Sequence, residues 1–161
     1  MLRKITEDTH LAGRDVRASE DEPQYLVRSE KSGGEAVHKA SALRKLVLMA
    51  AGEVAEEVDE IWEDWRAAVN MAPGEIEDFL ETDESRSVGD KSGGESTGHR
   101  SGRRIVAILR TKKADLTTDD AAHMRKVVGY VHRHLAQRPS GDVGDTAWRF
   151  SLMNWGHDPQ K

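Results

Sequence analysis

Between residues 99 and 138 the chain carries ten Lys or Arg against three Asp or Glu, with four of its seven histidines. Seven of these cations, Arg100, Arg103, Arg104, Lys112, Lys113, Lys126 and Arg133, have the type and spacing for one chemistry, the binding of anions. The first three lie in Gly98-His99-Arg100-Ser101-Gly102-Arg103-Arg104. Glycines there let backbone N–H groups approach an anion, and a helix starting at the same place adds partial positive charge. Three guanidinium groups around such a junction complete a phosphate site of the kind used on nucleic-acid backbones. The same residues also fit a plainer arrangement, a serine-capped helix whose arginines pair with the acidic segment 53–64. Both readings stay open at this level.

Other motifs carry less. Gly94-Glu95-Ser96-Thr97-Gly98 has the spelling of a nucleophile elbow. That chemistry needs a buried strand before the serine, and the preceding Ser-Val-Gly-Asp-Lys-Ser-Gly is not one. His132 and His134 are two residues apart, which on a helix turns them about 200° from each other, so they do not share a metal. No H-E-x-x-H, Walker loop or dinucleotide fingerprint occurs. Cysteine is absent, which removes disulfides, thiolate metal sites and thiol catalysis together. No nucleophile–base–orienter set is visible, so the expectation is a protein that is not an enzyme, with no catalytic residue, metal or cofactor.

The charges that frame these residues are unevenly distributed. Residues 46–86 hold 13 acidic and 2 basic side chains, whereas 87–161 hold 8 acidic and 13 basic. The formal net charge of −5 therefore averages two surfaces with different preferences for partners. Leu, Ile, Val and Phe number 31 of 161 residues, a lean but globular composition. No apolar run reaches the roughly 18 residues of a membrane span, and the start has no signal-peptide pattern, so the chain reads as soluble and cytoplasmic.

The elements that must position the cations follow from periodicity. Residues 1–45 read as short strands, with Tyr25-Leu26-Val27 and Ala36-Val37 separated by the turn-forming Lys31-Ser32-Gly33-Gly34-Glu35, and a short helix from Ser41 through Lys45. Val54, Val58, Ile61, Trp62, Trp65 and Val69 recur at helical spacing over 53–70, with Glu56, Asp59, Glu60 and Glu63 opposite. Ile76, Phe79 and Leu80 mark a brief second helix after Pro73. Residues 82–102 read as a polar loop and 103–113 as a helix. Thr117 and Asp120 form a capping-box start for a helix ending near Gln137. On that helix Met124, Val127, Val128, Val131 and Leu135 share one face, and Lys126, Tyr130 and Arg133 lie opposite, beside Gly129. The helices 103–113 and 118–137, joined by a short turn, have the outline of a helix-turn-helix. Trp148 and Trp155 either stack on bases or tie the C-terminus down, and the second is favoured.

Two stretches resemble known bacterial families. Ala18-Ser19-Glu20-Asp21-Glu22-Pro23-Gln24-Tyr25 and His38-Lys39-Ala40-Ser41-Ala42-Leu43 resemble the hypervirulence-associated Tudor-like domain, a small β-barrel. Such domains carry a Val-, Trp- and Gly-rich strand before this point, so the resemblance implies a partial barrel over 1–46, behind a misplaced start or an incomplete fold. Val69-Asn70-Met71, Glu81-Thr82-Asp83-Glu84-Ser85, Ser101-Gly102-Arg103-Arg104-Ile105, His123 through Val131 and Ser151 through Pro159 resemble the domain-of-unknown-function 3140 family. Some of its members carry a DNA-binding label, which supports a binding role and supplies no mechanism.

The expected fold class is α+β, a short β segment (1–46) followed by a mainly helical module (47–161). The expected function is non-enzymatic nucleic-acid binding, with DNA as partner. Phosphate contacts from Arg100, Arg103, Arg104, Lys112, Lys113, Lys126 and Arg133 carry it, with affinity falling steeply as salt rises. The alternative is a protein–protein adaptor using the acidic helix or an open β edge.

Overall fold

The computed structural model describes residues 2–29, 32–89 and 95–161. Five short strands come first: β1 (Leu2–Ile5), β2 (Thr9–Leu11), β3 (Arg14–Val16), β4 (Gln24–Arg28) and β5 (Glu35–Lys39). Six helices follow: α1 (Ala40–Ala68), α2 (Pro73–Leu80), α3 (Asp83–Ser87), α4 (Thr97–Arg110), α5 (Thr118–Leu135) and α6 (Ala147–Met153). The α+β class is as the sequence implies. The chain divides into two compact units, residues 1–53 and 54–161.

In the first unit β1, β4 and β5 form an antiparallel sheet in the order β1-β4-β5, with Leu26 opposite both Arg3 and Val37. Strands β2 and β3 form a separate hairpin in which His10 faces Asp15. Its two-residue turn puts both Ala12 (φ 50) and Gly13 (φ 75) in the left-handed region. That is the mirror-image geometry whose twist matches paired strands. Alternation sends Ile5, Val16 and Val37 inward, where they are at most 5% exposed and are joined by Leu11, Ala18 and Leu26. The Arg14 guanidinium donates to the Val37 carbonyl and ties the hairpin to β5.

Helix α1 is a single element of 29 residues, not a short helix from Ser41 and a second from 53. The connecting Leu46-Val47-Leu48-Met49-Ala50-Ala51 consists mostly of strong helix formers. The one glycine after them, Gly52, costs about 1 kcal/mol and does not stop propagation. In the second unit Val58, Trp65 and Ala68 of α1 enter the main core with Ile76, Leu80, Ile105, Met124, Val127, Val131 and Leu152.

The stretch read as one loop over 82–102 is largely helical. Thr82 caps α3 by accepting from the Ser85 amide, and Ser96 caps α4 by accepting from His99. Capping side chains of this kind satisfy amides that the first turn leaves free. Helix α5 starts on the expected box, with the Thr117 hydroxyl accepting from Asp120 N and Asp120 accepting from Thr117 N at 3.0 Å. The pentapeptide Lys31-Ser32-Gly33-Gly34-Glu35 recurs letter for letter at 91–95, and it lies partly outside the described residues, at Lys31 and at 91–94.

The C-terminal segment is fastened by polar contacts. Arg149 grips Asp158 through two bonds of 2.9 and 2.8 Å, and Asn70 exchanges two bonds with the Asp158 backbone. Burial leaves Trp155 5% exposed, and the Trp148 indole donates to the His134 carbonyl at 2.8 Å. Both tryptophans tie the terminus down.

Candidate functional site

Helix α4 organises the region that holds the predicted cations. It begins at Thr97, six residues before the expected position, so Gly98 and Gly102 are helical and do not form an anion-cradling loop. Their reason is close approach. A Cβ on Gly102 would lie 2.9 Å from the Asn154 carbonyl oxygen and 3.0 Å from Leu80, and one on Gly98 would lie 3.2 Å from Asn154. Absence of a side chain lets the segment after α6 press against α4. Ser101 is buried inside the helix, where its hydroxyl meets His123 Nε2 at 3.2 Å, and the cap is Ser96.

Arg103 and Arg104 are adjacent and therefore about 100° apart around the helix. They serve opposite flanks. Arg103 bonds Glu95 and lines a cavity with Glu77, Asp78, Glu81 and His99. The hydrogen bond from Arg103 holds the Glu95 carboxyl below its ordinary range. Arg104 turns toward α5 and meets Asp120 at 3.2 Å. Burial alone would raise the Asp120 carboxyl, but bonds from Thr117 and the Arg104 charge hold it low.

The α5 flank is the basic one. His123, Lys126, Tyr130 and Arg133 are spaced by three, four and three residues, which aligns them along one stripe. Lys126, Tyr130 and Arg133 line a cavity of about 290 Å³ with Thr97 and Gly98 of the first turn of α4, Gly89 and Trp155. Tyr130 stacks on Trp155 at 4.1 Å between centroids, and Lys126 lies over the same indole at 5.8 Å. Arg133 folds across the bare backbone of Gly129, so close that a Cβ there would be 3.1 Å from its guanidinium. Burial, then the charges of Arg104 and Lys126, lower the pKa of His123 and keep it neutral near pH 7. Two cations, Lys126 and Arg133, thus line a pocket with the first turn of α4, whose free amides carry the positive end of the helix dipole, an arrangement that suits an anion.

The remaining cations are placed differently. Arg100 is exposed on α4, with a long 3.4 Å contact to Thr97 as its side-chain bond among the described residues. Lys112 is exposed just before the 3-10 turn Lys113–Asp115. Lys113 pairs with Asp59 at 2.6 Å and sits over the Trp62 ring. Arg125, which the sequence did not single out, also faces the acidic side of α1, with Glu57 at 3.5 Å and Glu60 at 3.7 Å. The structure therefore brings Lys126 and Arg133 together beside the start of α4 and leaves Arg104 about two turns further along that helix. Arg103 and Lys113 lie against carboxylates elsewhere. Thr97, Gly98 and Tyr130 complete the pocket. Tyr130 carried a sequence signal in its spacing from Lys126 and Arg133, and Gly98 stood in the expected anion-binding junction, whereas Thr97 carried none.

One buried cluster has the outline of an active site that the sequence did not show. The Ser85 hydroxyl lies 2.7 Å from His99 Nε2, and His99 Nδ1 lies 3.9 Å from Glu95. Hydrogen-bond bookkeeping gives it a structural role. Ser85 has one proton and donates it to Asn154 Oδ1 at 2.5 Å, and the Asn154 amide donates back to the Ser85 carbonyl at 3.0 Å, which fixes the orientation of that amide. His99 Nε2 must then carry a proton and donate to Ser85, so it is not a base for it. Ser85 is 0% exposed, out of reach of a substrate. Ser96, at the centre of the elbow-like spelling, is likewise spent as the α4 cap, while Gly94 lies outside the described residues.

Among the described residues no group of His, Asp and Glu is placed to hold a metal ion, and no helix is long and apolar enough to cross a membrane. Residues 2–43 match the family described as the TUDOR domain of hypervirulence associated proteins, to which the β unit is similar. No curated protein and no solved structure matches the chain. Residues 64–153 match the family described as protein of unknown function (DUF3140), a stretch that contains helices α4 and α5 with Lys126, Tyr130 and Arg133, together with Ser85 and His99, and ends just before Asn154 and Trp155. With more than half of its length inside that match, the chain belongs to the DUF3140 family.

Proposed function

We propose that the chain is a non-enzymatic binder of nucleic acid, DNA in the first instance, that grips the phosphate backbone. The observation that carries this reading is the pocket where Lys126, Arg133 and the first turn of α4 come together beside stacked Tyr130 and Trp155. A phosphate seated there gains two charge-assisted hydrogen bonds and the helix N-terminus together. Arg100 and Lys112 extend the cationic surface, and Arg104 joins it by exchanging Asp120 for phosphate. Like Arg104, Arg103 and Lys113 must first give up a carboxylate, so these three contribute less than Lys126 and Arg133. Trp155 is too deeply buried to stack on a base, so the mode is backbone contact without sequence readout.

The test is fluorescence polarisation with labelled duplex and single-stranded DNA at two salt concentrations. Expected is saturable binding that weakens with salt and is lost on combining Lys126→Ala with Arg133→Ala. Absence of binding at low salt overturns the proposal.

The adaptor reading retains one specific support. In the three-stranded sheet β1 and β5 are the outer strands, each paired on one side among the described residues. An extended peptide adding to β5 would be recognised by main-chain bonds, and loss of amide exchange at Glu35–Lys39 on adding a partner would reveal it.

A further inference from the structure

Helices α4 and α5 carry seven Lys and Arg side chains, and carboxylates divide them into two groups. Arg103, Arg104, Arg110 and Arg125 lie against Glu95, Asp120, Glu77 and Glu57 respectively. Arg100, Lys126 and Arg133 have no ion-pair partner among the described residues. These three are not scattered. Lys126 and Arg133 line the cavity of about 290 Å³ together with Thr97, and the Arg100 guanidinium reaches back to the Thr97 hydroxyl at 3.4 Å. Every unpaired cation of the two helices therefore borders one concavity, and no carboxylate lines it among the described residues.

The cavity offers charge and little else. Tyr130 is stacked against both His134, at 4.8 Å between centroids, and Trp155, at 4.1 Å, and Trp155 is buried. Their stacking is taken up inside the protein, so a nucleic-acid base finds no platform there. The volume lies at the small end for a ligand site, enough for a phosphoryl group and its immediate surroundings but not for a length of strand.

Charge then decides which phosphoryl group fits. A protein that tracks a strand makes on the order of 6–10 phosphate contacts. Here four of the seven cations are already neutralised, and the formal net charge of −5 opposes a long polyanion. An internal phosphodiester brings one negative charge to the cavity. A terminal phosphomonoester brings about 1.5 to 2 at pH 7 and three strong acceptor oxygens. Grouped cations attract it up to about twice as strongly.

We propose that this cavity takes the terminal phosphomonoester of a nucleic-acid strand, held by Lys126 and Arg133 with Arg100 at the rim. The inference rests on the nucleic-acid reading above and goes beyond it, because the end of a strand and not its interior occupies the pocket.

The test is fluorescence polarisation of the full chain with three internally labelled single DNA strands of one sequence. One carries a 5′-phosphate, one a 3′-phosphate, and one has hydroxyls at both ends. Expected is affinity about tenfold higher for a phosphorylated strand than for the hydroxyl strand, the size of one charge-assisted hydrogen bond. Lys126→Ala and Arg133→Ala each reduce that ratio, and the double variant no longer distinguishes the strands. Arg110→Ala leaves the ratio unchanged. All three positions are exposed, so the fold survives the substitutions. Thymidine 5′-monophosphate displaces the phosphorylated strand and thymidine does not. Equal affinity for the three strands overturns this proposal and leaves the backbone-contact reading standing. A preference for phosphorylated ends that survives the double variant also overturns it, because the end is then held elsewhere. Binding of the monophosphate with no binding of any strand overturns both readings, and the site then serves a free nucleotide.

Discussion

The two flanks of α4 start from almost the same residues and end with opposite character. On the side of α2 and α3, Arg103 and Arg110 each face a carboxylate, Glu95 and Glu77. On the side of α5, Arg104 meets one carboxylate, and beyond it Lys126 and Arg133 have none among the described residues. Five bare letters, four Arg and one Lys, look equivalent in a count of charges. The helical turn of about 100° between neighbours sends Arg103 into an acidic cavity and Arg104 toward a basic one. Clustered charge in the sequence is therefore a poor measure of free charge on a surface, and the unit that matters is a cation with its nearest carboxylate.

The two flanks are kept apart by the buried face of α4, so the largest expected effect comes from disturbing that face. Gly102→Val would drive a branched side chain into the Asn154 carbonyl, 2.9 Å from the first added carbon, and into Leu80. Backbone on one side has no cheap route of escape. A loss of about 3 kcal/mol is expected in denaturant unfolding, at the upper end for overpacking. Loss of the pocket's ligand binding should accompany it, because the Gly98–Trp155 contact belongs to the same seam.

Affinity sharpens the contrast directly. Lys126→Ala and Arg133→Ala should each weaken DNA binding about tenfold, the size of one charge-assisted hydrogen bond. Each should also make the salt dependence shallower by about one in the log–log slope. Arg103→Ala, on the other flank, should change affinity by less than about twofold, since its guanidinium is already engaged. Equal losses from Arg103→Ala and Lys126→Ala would erase the distinction between the flanks.

Next in size is the Ser85 cluster on the acidic side. Ser85→Ala leaves Asn154 Oδ1 and His99 Nε2 without a partner in a region where Asn154 is 1% exposed. Stranding buried polar atoms costs about 1–3 kcal/mol. Chemical denaturation should show this loss while affinity for DNA stays near that of the parent. A variant of unchanged stability would mean that the hydroxyl is not the centre of the network.

How far these features are readable in the sequence depends on whether their cause is local. The capping box at Thr117, the inward face of α5 and the stripe of Val58 and Trp65 are set by residues within one or two turns, and all are visible as spacing. The start of α4 is not. A run with five glycines and five serines reads as loop, and only the distant Asn154 and Leu80 explain why two of those glycines belong inside a helix. The continuity of α1 through Leu46–Gly52 was missed for a related reason. Its periodicity is blurred because apolar residues point in every direction, and the helix there is held by propensity and not by burial in its own chain. The candidate site divides along the same line. Lys126, Tyr130 and Arg133 share a face by spacing alone, whereas their meeting with Thr97 and Gly98, and the diversion of Arg103 to Glu95, depend on how α4 lies against its neighbours.

Acidity is expected to move the basic flank by a few-fold. The folded pKa of His123 lies below its ordinary value of about 6.5, through burial first and then the charges of Arg104 and Lys126. The unfolded chain therefore binds more protons in that range. This group's contribution to stability is complete above about pH 6.5 and declines as pH falls toward the folded value. A bound phosphate offsets the repulsion and favours the protonated ring. Affinity for DNA should rise between pH 7.5 and pH 6, and the rise should flatten in His123→Ala. The acidic flank predicts no such gain. A pH profile identical in His123→Ala would separate the histidine from the site.

The smallest effect is expected from the ion pair that most resembles a strong one. Arg110 meets Glu77 at 2.6 Å, yet the two side chains are 58% and 45% exposed. Water already solvates both groups well, and holding two long side chains in one geometry costs rotamer entropy. Exposed pairs of this kind contribute about 0–1 kcal/mol. Arg110→Ala should therefore change stability by no more than about 0.5 kcal/mol and leave DNA affinity unaltered. Its value lies in the comparison with Arg149, whose pair with Asp158 has nearly the same length but is 20% and 13% exposed and joined by two parallel bonds. The bond from Arg149 holds the Asp158 carboxyl below its ordinary range, so the stability it lends is complete above about pH 4 and is lost as pH falls through the lowered value. Acid unfolding should thus shift upward in pH on Arg149→Ala and stay in place on Arg110→Ala, although the two bridges differ little in distance. If both variants shift alike, then length and not burial sets the strength of ion pairs in this protein, and Arg103 on the acidic flank would have to be weighed again as firmly held.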